Sequence, residues 1–250
     1  MLNVKGRHDV KWQLIRGSLA VVIGALTIVS WAVPCAKAVF AQGASQNNNT
    51  PLEQVLNRMD ATAATFKSAQ ADFDWDTYTA VVSDHDLKAG TIYYRKQGNA
   101  VEMSAEVRPS KGASVQQYIL YKNGRVQIYN PNTKQVQEYD AGKSNADVQS
   151  FLVLGFGGGG HEMLKSFDVH YAGTEQVQGV NAAKLELTPK SDRARGMFNK
   201  IVLWIDPAQG VSVQQQLFAP GGDYKLSKYS NIKINPPKMP EDVFKLKRNN

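Results

Sequence analysis

Alternation of apolar and polar residues constrains the fold of this chain more than any other feature of its sequence. Through residues 101–107 every second side chain is apolar: Val101, Met103, Ala105 and Val107. A period of two places these side chains on one face of a β-strand and the polar ones on the other. Similar strand-like runs recur at residues 90–96, 115–122, 125–129, 135–139, 167–172, 183–188, 201–205, 211–218 and 224–232.

Turn residues between these runs predict that the strands follow one another as hairpins. Asn123-Gly124 is typical of a two-residue type I′ turn, and the pair Gln178-Gly179 also separates two runs. About ten or eleven strands in sequential hairpins predict a mainly β (α+β) fold, built on one large antiparallel sheet. A sheet of that size curls, and helices can then fill its concave side.

A helix is predicted just before the first strand. Thr50 can cap its N-terminus, Pro51 suits the first helical position, and Glu53 completes a capping box. The apolar residues that follow recur at helical spacing: Leu52, Val55, Leu56, Met59, Ala63 and Phe66. This stripe predicts a helix that packs on an apolar surface.

A glycine-rich segment interrupts the strands in the middle of the chain. The apolar run 147–154 leads into residues 155–160, which are glycines except for Phe156, and a short amphipathic stretch follows at 161–166. Glycine permits backbone conformations that other residues avoid. The segment is interpreted either as an ordinary flexible connection or as a hinged helical lid, and the sequence leaves both open.

Several large apolar side chains could line a cavity between such a lid and the sheet. The candidates are Phe66, Met103, Phe151, Leu154, Phe156 and Met163. Each of them could equally fill an ordinary core. A curled sheet too large to be filled by its own side chains tends to enclose a ligand cavity, which favours the first interpretation for the set.

The first 41 residues have the pattern of a secretory signal peptide. Basic residues precede an apolar run at 19–33, and small residues then allow cleavage after Ala38 or Ala41. The run is shorter than the roughly 20 residues of a spanning helix, so an uncleaved membrane anchor is the less favoured alternative. We therefore expect a periplasmic protein with a disordered polar linker at 42–50 and one domain at 51–250. Cleavage would also remove Cys35, the single cysteine.

The mature chain carries no recognisable catalytic constellation. Its histidines are His85, His161 and His170, and none shows a paired metal-ligand spacing such as H-E-x-x-H. Cleavage at 41 would leave 24 basic against 21 acidic side chains, which is too mild an excess to indicate nucleic-acid binding. The sequence thus predicts a monomeric, non-enzymatic protein without metal or cofactor.

A helical pattern at residues 52–60, a strand-like stretch within residues 65–73 and a hairpin at residues 121–131 occur in this order along the chain. In this order the chain resembles the LolA family, the periplasmic carriers of outer-membrane lipoproteins, whose opening helix and first strand are similar to residues 52–60 and 65–73. Residues 121–131 are similar to its hairpin with a Tyr-x-Pro ending, and residues 201–232 and 236–244 agree with it in order and spacing. The resemblance covers roughly residues 50–247.

The resemblance implies an unclosed β-barrel under a helical lid, with lipoprotein acyl chains in the apolar space between them. It also implies an inner-membrane exporter and an outer-membrane acceptor as partners, and no cofactor. The family's arginine, which steadies the lid, would correspond to Arg95, with Lys96 as the alternative. The proline and two aromatic residues that accompany that arginine are absent here. An envelope-stress sensor or scaffold, or a carrier of free lipid or glycolipid, would be the alternative functions on such a half-barrel.

Overall fold

The structure is a computed structural model that describes residues 50–98, 100–140 and 151–246. The predicted signal peptide, nearly all of the predicted linker and the first part of the run 147–154 lie outside these residues. Helices with both ends described are α1 (Pro51–Thr65), α2 (Gly160–Ser166), α3 (Asp192–Met197) and a 3-10 helix (Glu241–Phe244).

Eleven strands form one sheet in the described part of the chain. They are β1 (Ser68–Thr79), β2 (Asp84–Gln97), β3 (Ala100–Arg108), β4 (Gln117–Lys122), β5 (Arg125–Asn130), β6 (Gln135–Asp140), β7 (Phe167–Val177), β8 (Val180–Pro189), β9 (Lys200–Asp206), β10 (Val211–Phe218) and β11 (Tyr224–Ile234). Their order is β6-β5-β4-β3-β2-β1-β11-β10-β9-β8-β7, with antiparallel neighbours throughout. The predicted mainly β fold with a large unclosed antiparallel sheet is confirmed.

The first and last strands meet in the middle of this sheet. Strand β1 pairs with β2 on one side and with β11 on the other, so that Phe73 lies opposite both Gly90 and Tyr229. This arrangement joins a half built from β1–β6 to a half built from β7–β11. The turn predicted at residues 123–124 is present, with positive φ angles of 52° at Asn123 and 74° at Gly124, as a type I′ turn requires.

Helix α1 begins where the sequence predicts. The Glu53 N–H donates to Thr50 Oγ1 over 3.3 Å, and Pro51 is the first helical residue. In the last turn of the helix, Thr62 Oγ1 donates to the Gln209 carbonyl over 2.7 Å. This bond connects α1 to the turn between β9 and β10, so the helix is fixed to the sheet by polar contacts as well as by its apolar stripe.

The two faces of the sheet are covered differently. The inner face, as we name it, is the one that α1 and residues 151–166 cover, and the outer face is the opposite one. Buried side chains on the inner face form two clusters, one around Leu56, Leu185 and Leu203 and one around Phe73 and Phe156. On the outer face, Val243 and Phe244 of the C-terminal segment pack on Tyr93.

Candidate functional site

The lid segment, by which we mean residues 151–166, crosses the inner face and is tied to β10. The Ser212 N–H donates to the Gly155 carbonyl over 2.9 Å, and Gln215 Nε2 donates to the Leu154 carbonyl. Tyr229 in turn donates its hydroxyl to Gln215 Oε1 over 3.3 Å. Burial raises the pKa of Tyr229 to about 12, so its hydroxyl keeps the proton that this bond requires at any physiological pH.

Phe156 is the central apolar contact of the lid segment. Its side chain is completely buried. The ring stacks on Tyr94 with centroids 5.0 Å apart and meets Tyr229 edge-on at 4.8 Å. Offset stacking and edge-to-face contacts are the two geometries that aromatic pairs favour. The lid is therefore held by specific packing against β2 and β11 as well as by hydrogen bonds.

Glycines let the lid segment approach its neighbours more closely than other residues would. A Cβ atom on Gly157 would lie 2.4 Å from the Phe66 ring, and one on Gly160 would lie 2.5 Å from the backbone of Leu56. Gly155 and Gly157 also have φ angles of 78° and 80°, which favour glycine. The glycine run thus serves close packing between the lid segment and α1, whichever of the two predicted interpretations of the run applies.

His161 clamps the lid helix α2 to α1. Its Nε2 lies 2.8 Å from Glu53 Oε1, its Nδ1 bonds Asp60 Oδ2, and its backbone N–H donates to Asp60 Oδ1 over 3.2 Å. Hydrogen bonds with Asp60 and then Glu53 raise the pKa of His161, because both carboxylates favour the protonated ring. We refer to these three side chains as the His161 clamp.

The cavity beneath the lid segment is small. It has a volume of about 70 Å³, and its wall includes Met59 of α1, Leu154 and Met163 of the lid segment, and Phe167 of β7. Ligand pockets usually occupy ~300–1,000 Å³. The side chains of the lid segment fill the space next to the inner face, and the cavity that remains is smaller than such pockets.

Six of the seven predicted site residues lie on the inner face. Phe66 and Phe156 belong to the cluster around Phe73, and Met103 packs against it. Leu154 and Met163 belong to the cluster around Leu56, and Phe151 packs against it. Their assignment to a cargo site stays a prediction.

Arg95, the seventh, lies apart from these six. Neighbouring strand residues point to opposite faces, so Arg95 is on the outer face behind Tyr94. It bonds Glu102, and its guanidinium lies 4.2 Å from the centre of the Phe244 ring. These contacts anchor the C-terminal segment. The lid-latch role also stays a prediction, but the polar clamp recorded between lid and helix is formed by His161, and Lys96 is exposed.

Sequence reasoning missed the polar residues that hold the lid. Its search for metal-ligand spacing passed over His161, and Gln215 is one glutamine in a run of three. The one available signal was the spacing of Glu53 and Asp60, seven residues apart and therefore on one side of a helix. Nothing local to His161 indicates which carboxylates it meets.

The described residues contain no group of three or more His, Cys, Asp or Glu side chains that could hold a metal ion. No helix among them is long and apolar enough to cross a membrane.

Comparison with known proteins gives structural likeness only, since no family model and no curated protein matches the sequence. A putative outer membrane lipoprotein-sorting protein domain from Vibrio parahaemolyticus is similar with 12% identity and a TM-score of 0.41, over 77% of this chain and 95% of that one. The Mycobacterium tuberculosis lipoprotein LppX is similar with 10% identity and a TM-score of 0.47, over 76% of this chain and 99% of that one.

A chain of the Pseudomonas aeruginosa MucA/MucB complex is also similar, with 18% identity and a TM-score of 0.44. The match covers 79% of this chain and 62% of that one, so it leaves more than a third of that protein unmatched. Likeness at these identities and scores concerns general architecture and assigns no function to this chain.

Proposed function

We propose that this chain is a periplasmic carrier that shields the acyl chains of lipoproteins and moves them from the inner to the outer membrane. One observation carries the proposal: the apolar inner face is covered by a separate segment, residues 151–166, with few polar ties. Within the described residues, those ties are the His161 clamp, the bonds from Ser212 and Gln215, and two bonds that Lys190 donates to the carbonyls of Leu164 and Ser166. An inner-membrane exporter and an outer-membrane acceptor are the partners that such a carrier needs.

Loading requires the lid to leave the sheet. An acyl chain gains about 0.8 kcal/mol for each methylene that it buries, so a useful site must cover many methylenes. A cavity of about 70 Å³ is too small for that. Moving the lid segment away uncovers the surface that Leu154, Phe156 and Met163 now occupy, and an acyl chain can replace them there.

This replacement suits a carrier that must also release its cargo. Each large apolar side chain that leaves a buried site costs about 1.5–3 kcal/mol, which the incoming methylenes offset. Cargo and lid therefore compete for one surface, and the net affinity is smaller than the burial of the acyl chain alone would give. Helix α1 can stay in place during the exchange, because it has its own bond to the β9–β10 turn.

The cargo can be identified by mass spectrometry of the mature protein purified from its native host. Acylated lipopeptides or intact lipoproteins are the expected bound species. Free lipids or glycolipids would instead support a lipid carrier. A consistently empty protein that copurifies with a membrane-bound signalling protein would overturn the proposal in favour of a sensor.

A charge placed in the lid tests the site itself. Phe156→Asp should abolish the release of lipoproteins from inner-membrane vesicles, because a carboxylate cannot be buried against Tyr94 and Tyr229 without a large penalty. Leu87→Asp is the matched control, since Leu87 is apolar but 62% exposed. Should Phe156→Asp fail to fold, Phe156→Leu keeps an apolar lid and should retain release. Unchanged release by a folded Phe156→Asp protein would refute the lid assignment.

A further inference from the structure

Lys225 is a basic residue on the inner face, near the lid but outside it. It lies in β11, four residues before Tyr229, which contacts Phe156. Its neighbours across the sheet are Thr77 of β1 and Leu217 of β10. Leu217 packs against the cluster around Leu56, so Lys225 lies on the same face of the sheet as that apolar cluster.

The ammonium of Lys225 rests on an aromatic ring. Its Nζ lies 3.5 Å from the centre of the Trp75 ring. On the same face of β1, Phe73 stacks on this indole with ring centroids 3.9 Å apart. Phe73 belongs to the cluster that contains Phe156. A continuous apolar strip therefore leads from the lysine to the lid.

No described carboxylate forms an ion pair with Lys225. By strand register, the nearest acid on the inner face is Asp86, opposite Thr77, and it is bonded to Lys88 at 2.8 Å. Burial lowers the pKa of Lys225 to about 8, since water is partly excluded from its ammonium. Lys225 is partly buried, and even partial burial of a cation is costly unless a counter-charge accompanies it; a cation–π contact supplies only part of that compensation.

A second hydrogen-bond donor at the same place is also unmatched. Trp75 Nε1 is buried and has no hydrogen-bond partner within the described ranges. Buried donors are normally satisfied, so each exception needs an explanation. Lys225 and Trp75 together present two donors on the inner face, and no acceptor from the described protein meets them.

We propose that Lys225 and Trp75 bind an anionic group, a carboxylate or a phosphate, that is attached to the acyl cargo of the inner face. The anion supplies the counter-charge that the ammonium lacks, and the acyl chain follows the strip over Phe73 towards the lid. This inference rests on the proposed function and narrows it, because it requires a cargo with a negative charge close to its apolar chain.

The test compares lipids that share an acyl portion and differ in charge. Palmitate and methyl palmitate form one pair, and phosphatidic acid and diacylglycerol form the other. Each displaces a fluorescent acyl probe from the mature protein at pH 7. Hydrogen bonds to charged groups contribute enough that we expect the anionic member of a pair to bind about tenfold tighter or more. Inorganic phosphate and acetate alone show whether the anion binds without its acyl chain.

Lys225→Met removes the charge and keeps the length of the side chain. In this variant the ratio of the affinities for the anionic and the neutral member should fall to about one, while the affinity for the neutral member stays unchanged. Lys225→Arg keeps the charge and should keep the preference for the anionic member. Lys228→Met is the matched control, because Lys228 is on the same strand but faces the other way. This control should keep the full preference.

Each outcome separates this inference from the proposed function. Equal binding within both pairs by the unaltered protein, or an anion preference that survives in Lys225→Met, would overturn the inference and leave the acyl carrier intact. Binding of free phosphate or acetate as tightly as the lipids would show an anion site unconnected with acyl cargo and would also overturn it. Absence of binding by every acyl probe would overturn the carrier function itself.

Discussion

Truncation of Phe156 to alanine should release the lid without unfolding the sheet. The ring is fully buried and makes two aromatic contacts, with Tyr94 and with Tyr229. Each such contact contributes about 0.5–1.5 kcal/mol beyond simple burial. Removal of a whole buried Phe side chain typically costs about 3–5 kcal/mol. The loss falls on the docking of the lid segment, since β2 and β11 keep their ladder hydrogen bonds.

Hydrogen exchange followed by mass spectrometry measures this docking directly. Amides that the closed lid orders, such as those of Phe156 and Met163, bond carbonyls within the segment. Their exchange should accelerate by roughly 10²- to 10⁴-fold in Phe156→Ala, as a loss of about 3–5 kcal/mol implies for local opening. Peptides from β8 should keep their unaltered rate.

The control for this experiment is Phe218→Ala. Phe218 is a partly buried aromatic residue on the outer face, where it packs against a cluster around Val202 and Trp204, so its truncation should leave hydrogen exchange in the lid segment unchanged. The reasoning is refuted if Phe156→Ala leaves exchange in the lid segment unaltered. It is equally refuted if lid and β8 peptides accelerate by the same factor, because the lid would then be part of the global fold.

Three further predictions concern the clamp, the close helix contact and the outer-face ion pairs. Because the pKa of His161 is raised, its stabilisation of the lid is complete below about pH 6.5 and is lost as the pH rises through the raised value. Hydrogen exchange in the lid segment, corrected for intrinsic rates, should therefore accelerate as the pH rises through that value, and His161→Gln should remove this pH dependence. Gly160→Ala places a Cβ atom 2.5 Å from Leu56 and should destabilise lid docking by about 1–3 kcal/mol, whereas Gly196→Ala in α3 meets open space and should not lower the melting temperature. Burial works to raise the pKa of Glu102, but hydrogen bonds from two basic neighbours lower it overall, so its stabilisation is present above about pH 4.3 and is lost as the pH falls through the lowered value; melting curves of Glu102→Gln should lack that acid loss.

The strands could be predicted because their signal is local. A period of two needs only the residues of the strand itself, and the paired positive φ angles at Asn123 and Gly124 follow from a dipeptide. Helix α3 has an equally local signal, because Ser191 caps its first turn by accepting from the Ala194 N–H. The bounds of a strand are less local, because pairing partners set them as well as pattern: the run 90–96 lies within β2, which extends over Asp84–Gln97.

The polar connections of the lid could not be predicted because they join distant parts of the chain. The bond from Gln215 to Leu154 spans 61 residues, and the one from His161 to Glu53 spans 108. Neither residue type has a pattern that names its partner. The proposed anion site could not be predicted from the sequence for the same reason, because Lys225 and Trp75 come together only when β11 pairs with β1.

The position of Arg95 was, by contrast, available from the sequence. In a strand predicted over residues 90–96, Tyr94 and Arg95 must face opposite sides of the sheet. The alternation alone therefore says which face Arg95 lies on, while its lid-latch role stays a prediction. The resemblance assigned the role by position in an aligned motif, whereas the alternation assigns Arg95 to the outer face, where it meets Glu102 and Phe244.

The same alternation explains why a chain of this kind needs a lid at all. The inner face carries buried residues from both halves of the sheet. Without a cover, these residues would form an exposed apolar surface far larger than stable proteins normally leave in contact with water. Under the proposed function, residues 151–166 act as a substitute cargo whenever the true cargo is absent. The His161 clamp then sets the bias between the two covers, since it stabilises the lid-bound state and has no counterpart in the cargo. Loss of the proton from His161 would weaken the lid-bound state and shift the equilibrium towards cargo loading, while the apolar surface itself stays the same.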